Sequence, residues 1–188
     1  MAIKIFIDQG HNPMNPNAGA EGNGYREQDL VYTIGVRLAE LLNSNPNFEA
    51  RLSRNTPTEI LGTSVATSLA QRVNEANSWG ADYFISIHAN ASDIASASGS
   101  EAFVFSLASE SYGFAQSILE GLSAATGLDN RGVFARPTLY VLRKTQMPAT
   151  LLEIGFITNS GDAALMYESP ELFAAGIYNG ILGYFGLS

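Results

Sequence analysis

Short apolar segments rich in β-branched residues alternate along this chain with longer stretches of helical periodicity. The first apolar segment, residues 2–8, predicts a strand that runs into the turn-rich sequence Gln9-Gly10-His11-Asn12-Pro13. Residues 27–42 then place leucine and isoleucine at helical spacing, which predicts an amphipathic helix. Because strands that alternate with helices build layered sheets, this pattern predicts an α/β fold with a mixed, largely parallel central sheet flanked by helices.

The same two patterns continue to the end of the chain. They predict strands around 49–53, over 81–89 and over 99–106, helices near 69–80, over 110–126 and over 171–185, and two further apolar runs at 139–142 and 149–156. No internal repeat, proline-rich linker or charge block divides the sequence. We therefore expect one domain over residues 1–188.

Charge and cysteine content exclude several classes of function. Ten Lys and Arg against eighteen Asp and Glu give the 188 residues a net charge of −8, so we expect neither nucleic acid nor anionic lipid as a partner. No apolar run approaches the roughly 20 residues of a membrane span, so no membrane insertion is expected. The chain has no cysteine, which excludes disulfides, thiolate metal ligands and a cysteine nucleophile.

The chain has only two histidines, and both follow apolar segments. His11 comes just after the first predicted strand, and His88 lies near the end of segment 81–89. A lone histidine is more often structural than functional, but two at equivalent strand ends make a joint role as plausible as two structural roles, because catalytic groups gather past the carboxyl ends of parallel strands. Imidazole suits zinc, and a catalytic zinc takes three protein ligands of histidine or carboxylate type. In the absence of cysteine, the third ligand must be Asp or Glu.

Two positions are of interest among the carboxylates. Glu27 opens the first predicted helix and is favoured as the third ligand, although Glu21 in the preceding glycine-rich loop remains an alternative. A carboxylate at a helix start also has a structural role, because it complements the helix dipole. Glu153 is the only charged residue in the apolar run 149–156. Burying an unpaired carboxylate is costly. Glu153 is therefore either a salt-bridge partner of a basic residue or a general base beside a metal-activated water.

These residues lie in segments that resemble a known family, the zinc-dependent N-acetylmuramoyl-L-alanine amidases of the Amidase_3 type. The resemblance is carried, in the family's order, by Asp8-Gln9-Gly10-His11, Gly24-Tyr25-Arg26-Glu27, Ser86-Ile87-His88-Ala89-Asn90 and Pro148-Ala149-Thr150-Leu151-Leu152-Glu153-Ile154-Gly155-Phe156. Shorter matches at Gln71-Arg72, Asn130-Arg131-Gly132-Val133 and Val141-Leu142-Arg143 extend it over nearly the whole chain.

The resemblance implies a function and a fold. It implies Zn²⁺ as cofactor with His11, Glu27 and His88 as its ligands, and Glu153 as the catalytic general base on a zinc-bound water. It also implies an α/β fold of the zinc-exopeptidase or phosphorylase/hydrolase-like kind. The substrate would be peptidoglycan, cut at the amide between N-acetylmuramic acid and L-alanine. Asn90, Arg131 and Arg143 are candidates for binding substrate, with exposed solvated side chains as the alternative.

The family's usual first motif is Asp-Pro-Gly-His-Gly, and this chain departs from it at Gln9 and Asn12. These changes put the shape of the loop in question rather than metal binding.

Two other functions compete with the amidase: a zinc peptidase that cuts within the stem peptide, and a non-catalytic wall-binding module. Segment 90–130 leaves no room for an extra helix over the site, which predicts an open site. We expect a monomer that acts on the cell wall. Because the chain shows no signal peptide, we expect phage-type release or an excised domain of an exported protein.

Overall fold

A six-stranded sheet forms the centre of the protein, which a computed structural model describes over residues 2–187. The strands are β1 (Ile3–Gln9), β2 (Glu21–Gly22), β3 (Tyr25–Arg26), β4 (Phe48–Leu52), β5 (Tyr83–Asn90), β6 (Ser100–Val104), β7 (Asn130–Ala135) and β8 (Ala149–Phe156). The helices are α1 (Glu27–Ser44), α2 (Val65–Trp79), α3 (Glu110–Thr126), α4 (Tyr140–Lys144), α5 (Ser160–Glu168) and α6 (Pro170–Phe185). Strands β2 and β3 form a separate small hairpin.

The strand order in the large sheet is β4-β1-β5-β8-β6-β7. Strand β1 is parallel to β4 and β5, and β5 is parallel to β8. Strand β6 is antiparallel to β8, and β7 is parallel to β6. The predicted mixed, largely parallel sheet is therefore confirmed, and the order places the carboxyl-terminal halves of β1, β5 and β8 side by side.

Helices cover both faces of this sheet because its strands are apolar on both sides. Along β1, Ile5 and Ile7 join the core cluster formed with α1, α3 and α6, whereas Phe6 between them joins a second cluster formed with α2 and α4. This split follows from the alternation of side chains along a strand. Within residues 2–187, every helix is too short or too polar to serve as a membrane span.

Most of the predicted elements are present, with boundaries shifted by a few residues. In the apolar run 139–142, Leu139 precedes the short helix α4 as its N-cap residue and the other three residues lie within it, and 149–156 is strand β8. The hairpin β2–β3, the strand β7 and the helix α5 were not predicted, because they are very short, rich in polar residues or without a continuous apolar stripe. Among the described residues between Asn90 and Asn130, β6 and α3 are the only regular elements, as expected.

Candidate metal centre and active site

Three side chains that are distant in sequence meet above the carboxyl-terminal ends of β1 and β5. The Oε1 atom of Glu27 lies 3.1 Å from Nε2 of His11 and 3.0 Å from Nδ1 of His88, and the two ring nitrogens are 3.1 Å apart. The three residues form a cluster whose ligand atoms could hold one metal ion. Glu21 lies elsewhere, in β2, with its side chain 72% exposed and 3.9 Å from Arg26. Geometry therefore favours Glu27 over Glu21.

Glu27 is fixed by the backbone on both sides of its carboxylate. Oε2 accepts a hydrogen bond from the Ala20 amide at 2.9 Å, and Oε1 accepts one from the Ala89 amide at 3.1 Å. Burial opposes ionisation of this side chain, but the hydrogen bonds and charges of His11 and His88 outweigh it and hold the pKa of Glu27 well below its usual value. The residue also begins α1, where the helix dipole favours an anion. Glu27 is thus an ionised and oriented carboxylate.

A buried hydrogen-bond chain sets the tautomer of His88. The Ser86 hydroxyl donates to Oδ2 of Asp8 at 2.7 Å, so its oxygen is left to accept from Nε2 of His88 at 3.1 Å. In the metal-binding form the proton is on Nε2, and the lone pair of Nδ1 is directed at the ion position between Glu27 and His11. A ring nitrogen held in this way by an outer carboxylate or hydroxyl is the usual support of a metal-binding histidine.

The other histidine is positioned through its backbone. His11 has a φ of +66°, in the left-handed region that non-glycine residues rarely adopt. Arg72 is buried, pairs with Asp8 at 2.6 Å and donates to the carbonyls of Gln9 and His11 at 2.6 Å each. Burial opposes ionisation of Asp8, and Arg72 and Ser86 more than offset this, so that the pKa of Asp8 is lowered. One Asp8–Arg72 pair therefore supports both histidines.

Two glycines make room for the cluster. A Cβ at Gly10 would lie 2.5 Å from Cε1 of His88, and a Cβ at Gly19 would lie 2.8 Å from Oε2 of Glu27. Real Cβ atoms do not approach other heavy atoms so closely. Any larger residue at either position would displace a side chain of the cluster.

The two departures from the family's first motif are structural. Gln9 is fully buried, and its Oε1 accepts hydrogen bonds from the Arg54 amide and the Ser53 hydroxyl, which join β1 to the loop after β4. Asn12, also fully buried, accepts from the Leu61 amide and donates to the Leu61 carbonyl, so it ties the loop after β1 to residue 61. The loop keeps His11 within the cluster despite both changes.

Glu153 stands beside this cluster. It is directly opposite His88 in the register of β5 and β8, and it lines the same cavity of about 460 Å³ as His11, Glu27 and His88. Its Oε2 is buried and has no hydrogen-bond partner among the described residues. Burial, followed by the negative charges of Glu27 and Glu101, raises the pKa of Glu153 well above its usual value. No salt bridge to a basic residue is found for Glu153 within residues 2–187.

Glu101 is one of the residues near this site that the sequence did not single out. It is opposite Glu153 in the antiparallel pairing of β6 and β8, and it accepts hydrogen bonds from Asn90 and Arg131 at 2.9 Å each. The available signal was the same as for Glu153, a single acidic residue within an apolar strand. Asn90 and Arg131 therefore contact Glu101, and Asn90 also lines the site cavity.

Arg143 lies apart from these residues. It is exposed on α4 and lines a different cavity of about 320 Å³, together with Phe105 and Met147. The structure thus brings together His11, Glu27, His88, Glu153 and Asn90, places Arg131 at their edge through Glu101, and leaves Arg143 outside the site.

The donor set fits zinc on two grounds. Two imidazoles and one carboxylate are a common protein ligand set for a catalytic zinc. Ligand atoms about 2.0–2.2 Å from a tetrahedral zinc lie about 3.3–3.6 Å from one another, and the three donors here are separated by 3.0–3.1 Å, close to that value. Such a cluster beside a carboxylate, on an α/β sheet, is the arrangement of a metal-dependent hydrolase.

Comparison with known proteins identifies the class of hydrolase. Residues 5–183 match the N-acetylmuramoyl-L-alanine amidase family known as Amidase_3. The chain is 35% identical over 190 residues to the N-acetylmuramoyl-L-alanine amidase CwlM of Bacillus licheniformis, with 99% of this chain and 70% of that protein covered. It is 36% identical over 185 residues to the amidase LytC of Bacillus subtilis strain 168, with 96% of this chain and only 35% of LytC covered.

The fold is similar as well. The catalytic domain of the amidase CwlV from Bacillus (Paenibacillus) polymyxa var. colistinus superposes with a TM-score of 0.85, at 30% identity and with 99% of both chains covered. This chain therefore belongs to the N-acetylmuramoyl-L-alanine amidase family, and it is a hydrolase that acts on the bacterial cell wall.

Proposed function

We propose that this chain is a zinc-dependent amidase that cleaves the amide between N-acetylmuramic acid and L-alanine in peptidoglycan. His11, Glu27 and His88 bind the zinc, and Glu153 is the general base. The observation that carries this proposal is the convergence of the three donor atoms within 3.0–3.1 Å of one another, in one cavity with Glu153.

When bound, zinc lowers the pKa of a coordinated water and polarises the carbonyl of the substrate. The chain supplies the rest of the chemistry. Glu27 contributes one negative charge and the two neutral imidazoles contribute none, so the bound ion keeps a net positive charge of about one. A hydrogen bond from Nε2 of His88 to the Ser86 hydroxyl leaves the lone pair of Nδ1 free to bind the metal.

Glu153 moves the proton. Its free oxygen, Oε2, has no protein partner to give up before it accepts a proton from the attacking water. The water oxygen then bonds to the lactyl carbonyl carbon, the carbon–nitrogen bond breaks, and Glu153 returns the proton to the leaving amine of L-alanine. A carboxyl with a raised pKa is suited to both transfers, since it binds a proton readily and then acts as an acid.

In this proposal Asn90 contacts substrate in the cavity that it lines, and Asn90 and Arg131 together hold Glu101 in place beside Glu153. Arg143 contacts substrate only if the glycan or peptide extends beyond the main cavity to the second one. All four residues assigned to zinc binding and proton transfer come from one chain, so a monomer suffices for the reaction.

Product analysis tests the proposal against its rivals. The purified chain is incubated with peptidoglycan after treatment with a chelator and again after zinc is restored. An amidase releases the amine of L-alanine in a zinc-dependent manner and creates no new reducing end. Release of amino groups from within the stem peptide would favour a peptidase instead. Binding to the wall without any release of amine would favour a non-catalytic module.

A further inference from the structure

Arg136 is the only positively charged residue that lines the site cavity in the described part of the chain. Glu27 and Glu153 line the same cavity, and the whole protein is acidic, with a net charge of −8. Arg136 directly follows β7, and its backbone amide donates to the Val104 carbonyl at 2.8 Å, which fixes the position of its Cα beside β6. A single cation held in an otherwise acidic cavity points to an anionic ligand group.

The guanidinium of Arg136 is oriented but not neutralised. It lies over the ring of Phe103, 5.2 Å from the ring centroid, and Phe103 itself lines the cavity. A cation–π contact uses none of the hydrogen-bonding capacity of the guanidinium, so its N–H groups remain available to a carboxylate. The neighbouring Arg131 is engaged by Glu101 at 2.9 Å, whereas no ion pair joins Arg136 to a carboxylate among residues 2–187.

The pairing of β6 with β8 indicates how far Phe103, and with it Arg136, lies from the general base Glu153. Glu101 is opposite Glu153 and Phe103 is opposite Leu151, so Phe103 is a diagonal neighbour of the general base on the same face of the sheet. Diagonal neighbours of this kind are about 7–8 Å apart. In an extended peptide, the Cα atoms of consecutive residues are about 3.8 Å apart. A carboxyl group on the residue after L-alanine therefore falls within reach of Arg136 when the scissile amide lies at Glu153.

We propose that Arg136 is a specificity-determining residue that binds a carboxylate on the residue following L-alanine in the stem peptide. This inference rests on the proposed amidase function. It predicts that the enzyme distinguishes a stem peptide with a free α-carboxylate at this second position from the same peptide with a carboxamide there. A carboxylate accepts two parallel hydrogen bonds from a guanidinium, whereas a neutral carboxamide offers one acceptor and no charge.

The test compares two muramoyl tripeptides that differ only in this carboxylate or carboxamide. The zinc-loaded parent, Arg136→Gln, Arg136→Lys and the control Arg37→Gln, which alters an exposed arginine on α1, are assayed for kcat/KM on both. We expect the parent and the control to prefer the carboxylate by about 10–100-fold, the range for one hydrogen bond to a charged group. Arg136→Gln should lose this preference and cleave the carboxamide at the parent's rate, and Arg136→Lys should keep part of it.

The ratio of the two kcat/KM values does not depend on how much of a variant is folded, so partial misfolding cannot mimic the result. An equal loss on both substrates would overturn the inference, since Arg136 would then hold Phe103 in place or contact the glycan. Retention of the preference in Arg136→Gln, or its absence in the parent, would also overturn it. Failure of the zinc-loaded parent to cleave either compound would overturn the proposed function itself.

Discussion

His88 and Glu153 face each other directly across the parallel strands β5 and β8. The ring of His88 points its Nδ1 atom at Glu27 and His11, while Oε2 of Glu153 is buried without a partner in the described part of the chain. Two residues at the same register position thus have different surroundings. His88 belongs to the cluster of donor atoms, whereas the Oε2 atom of Glu153 is available to accept a proton.

This difference predicts that metal binding and catalysis can be separated by mutation. His88→Ala removes a ligand, so zinc content and activity should fall together. Glu153→Ala leaves three ligands, so it should keep most of its zinc and lose about 10²–10⁴-fold in activity, the usual contribution of general acid–base catalysis. Elemental analysis and amine release from peptidoglycan measure the two quantities. Glu21→Ala, exposed in β2, is the control and should match the parent in both. Loss of zinc from Glu153→Ala but not from Glu27→Ala would reverse the assignments.

The hydrogen-bond chain from Asp8 through Ser86 to His88 yields a second prediction. Ser86→Ala removes the acceptor for the Nε2 proton of His88, so the ring loses its fixed tautomer and orientation. Loss of such a supporting partner commonly lowers metal affinity by about 10–100-fold. Zinc affinity measured by competition with a chelator should therefore fall in Ser86→Ala and remain unchanged in Ser78→Ala, which alters an exposed serine on α2. Equal affinity in both variants would show that Ser86 does not support the ring.

Gly10 gives a prediction that depends on space alone. In Gly10→Ala the new Cβ would lie 2.5 Å from the ring of His88, so the ring must move and zinc affinity should fall by at least the effect of Ser86→Ala. Gly113→Ala is the matched control, because its Cβ would meet only Tyr184, at 3.7 Å. Since Gly113 lies within α3, that change should stabilise the protein by about 0.5–1 kcal/mol. Normal zinc binding by Gly10→Ala would mean that the ring is not confined as the structure indicates.

The sequence predicted the sheet because its strands are continuous apolar runs. The positions of the two histidines indicated a joint role, and the family resemblance completed the cluster with Glu27. The sequence could not predict how the cluster is supported. The contacts of Arg72 with Asp8, Gln9 and His11 join residues more than 60 positions apart. Likewise, the role of Glu101 depends on β6 pairing antiparallel to β8, and no local pattern in the sequence specifies the direction of that pairing.

The site cavity is not covered by a helix from the segment between Asn90 and Asn130, where β6 and α3 are the only regular elements of the described chain. We therefore predict that the zinc-loaded protein is active without an activating partner. Amine release by the purified chain alone should be linear from the first minutes and unchanged by added bacterial extract. A requirement for the extract would show that access to the site is controlled by another component.

The raised pKa of Glu153 predicts a dependence of stability on pH in the metal-free protein. Below its usual pKa, near 4.5, Glu153 is protonated in both the folded and the unfolded states and contributes no difference. As the pH rises above that value, the unfolded chain releases the proton while burial and the charges of Glu27 and Glu101 keep it bound in the folded state. The free energy of unfolding therefore decreases with rising pH until the pKa of Glu153 in the folded protein is reached.

Glu153→Gln lacks this titration, so the stability of the metal-free variant relative to the parent should increase between pH 4.5 and 8. Thermal unfolding in the presence of a chelator measures the difference, with Glu40→Gln, which alters an exposed residue on α1, as the control. A difference that stayed constant over this range would show that Glu153 ionises as freely in the folded protein as in the unfolded chain.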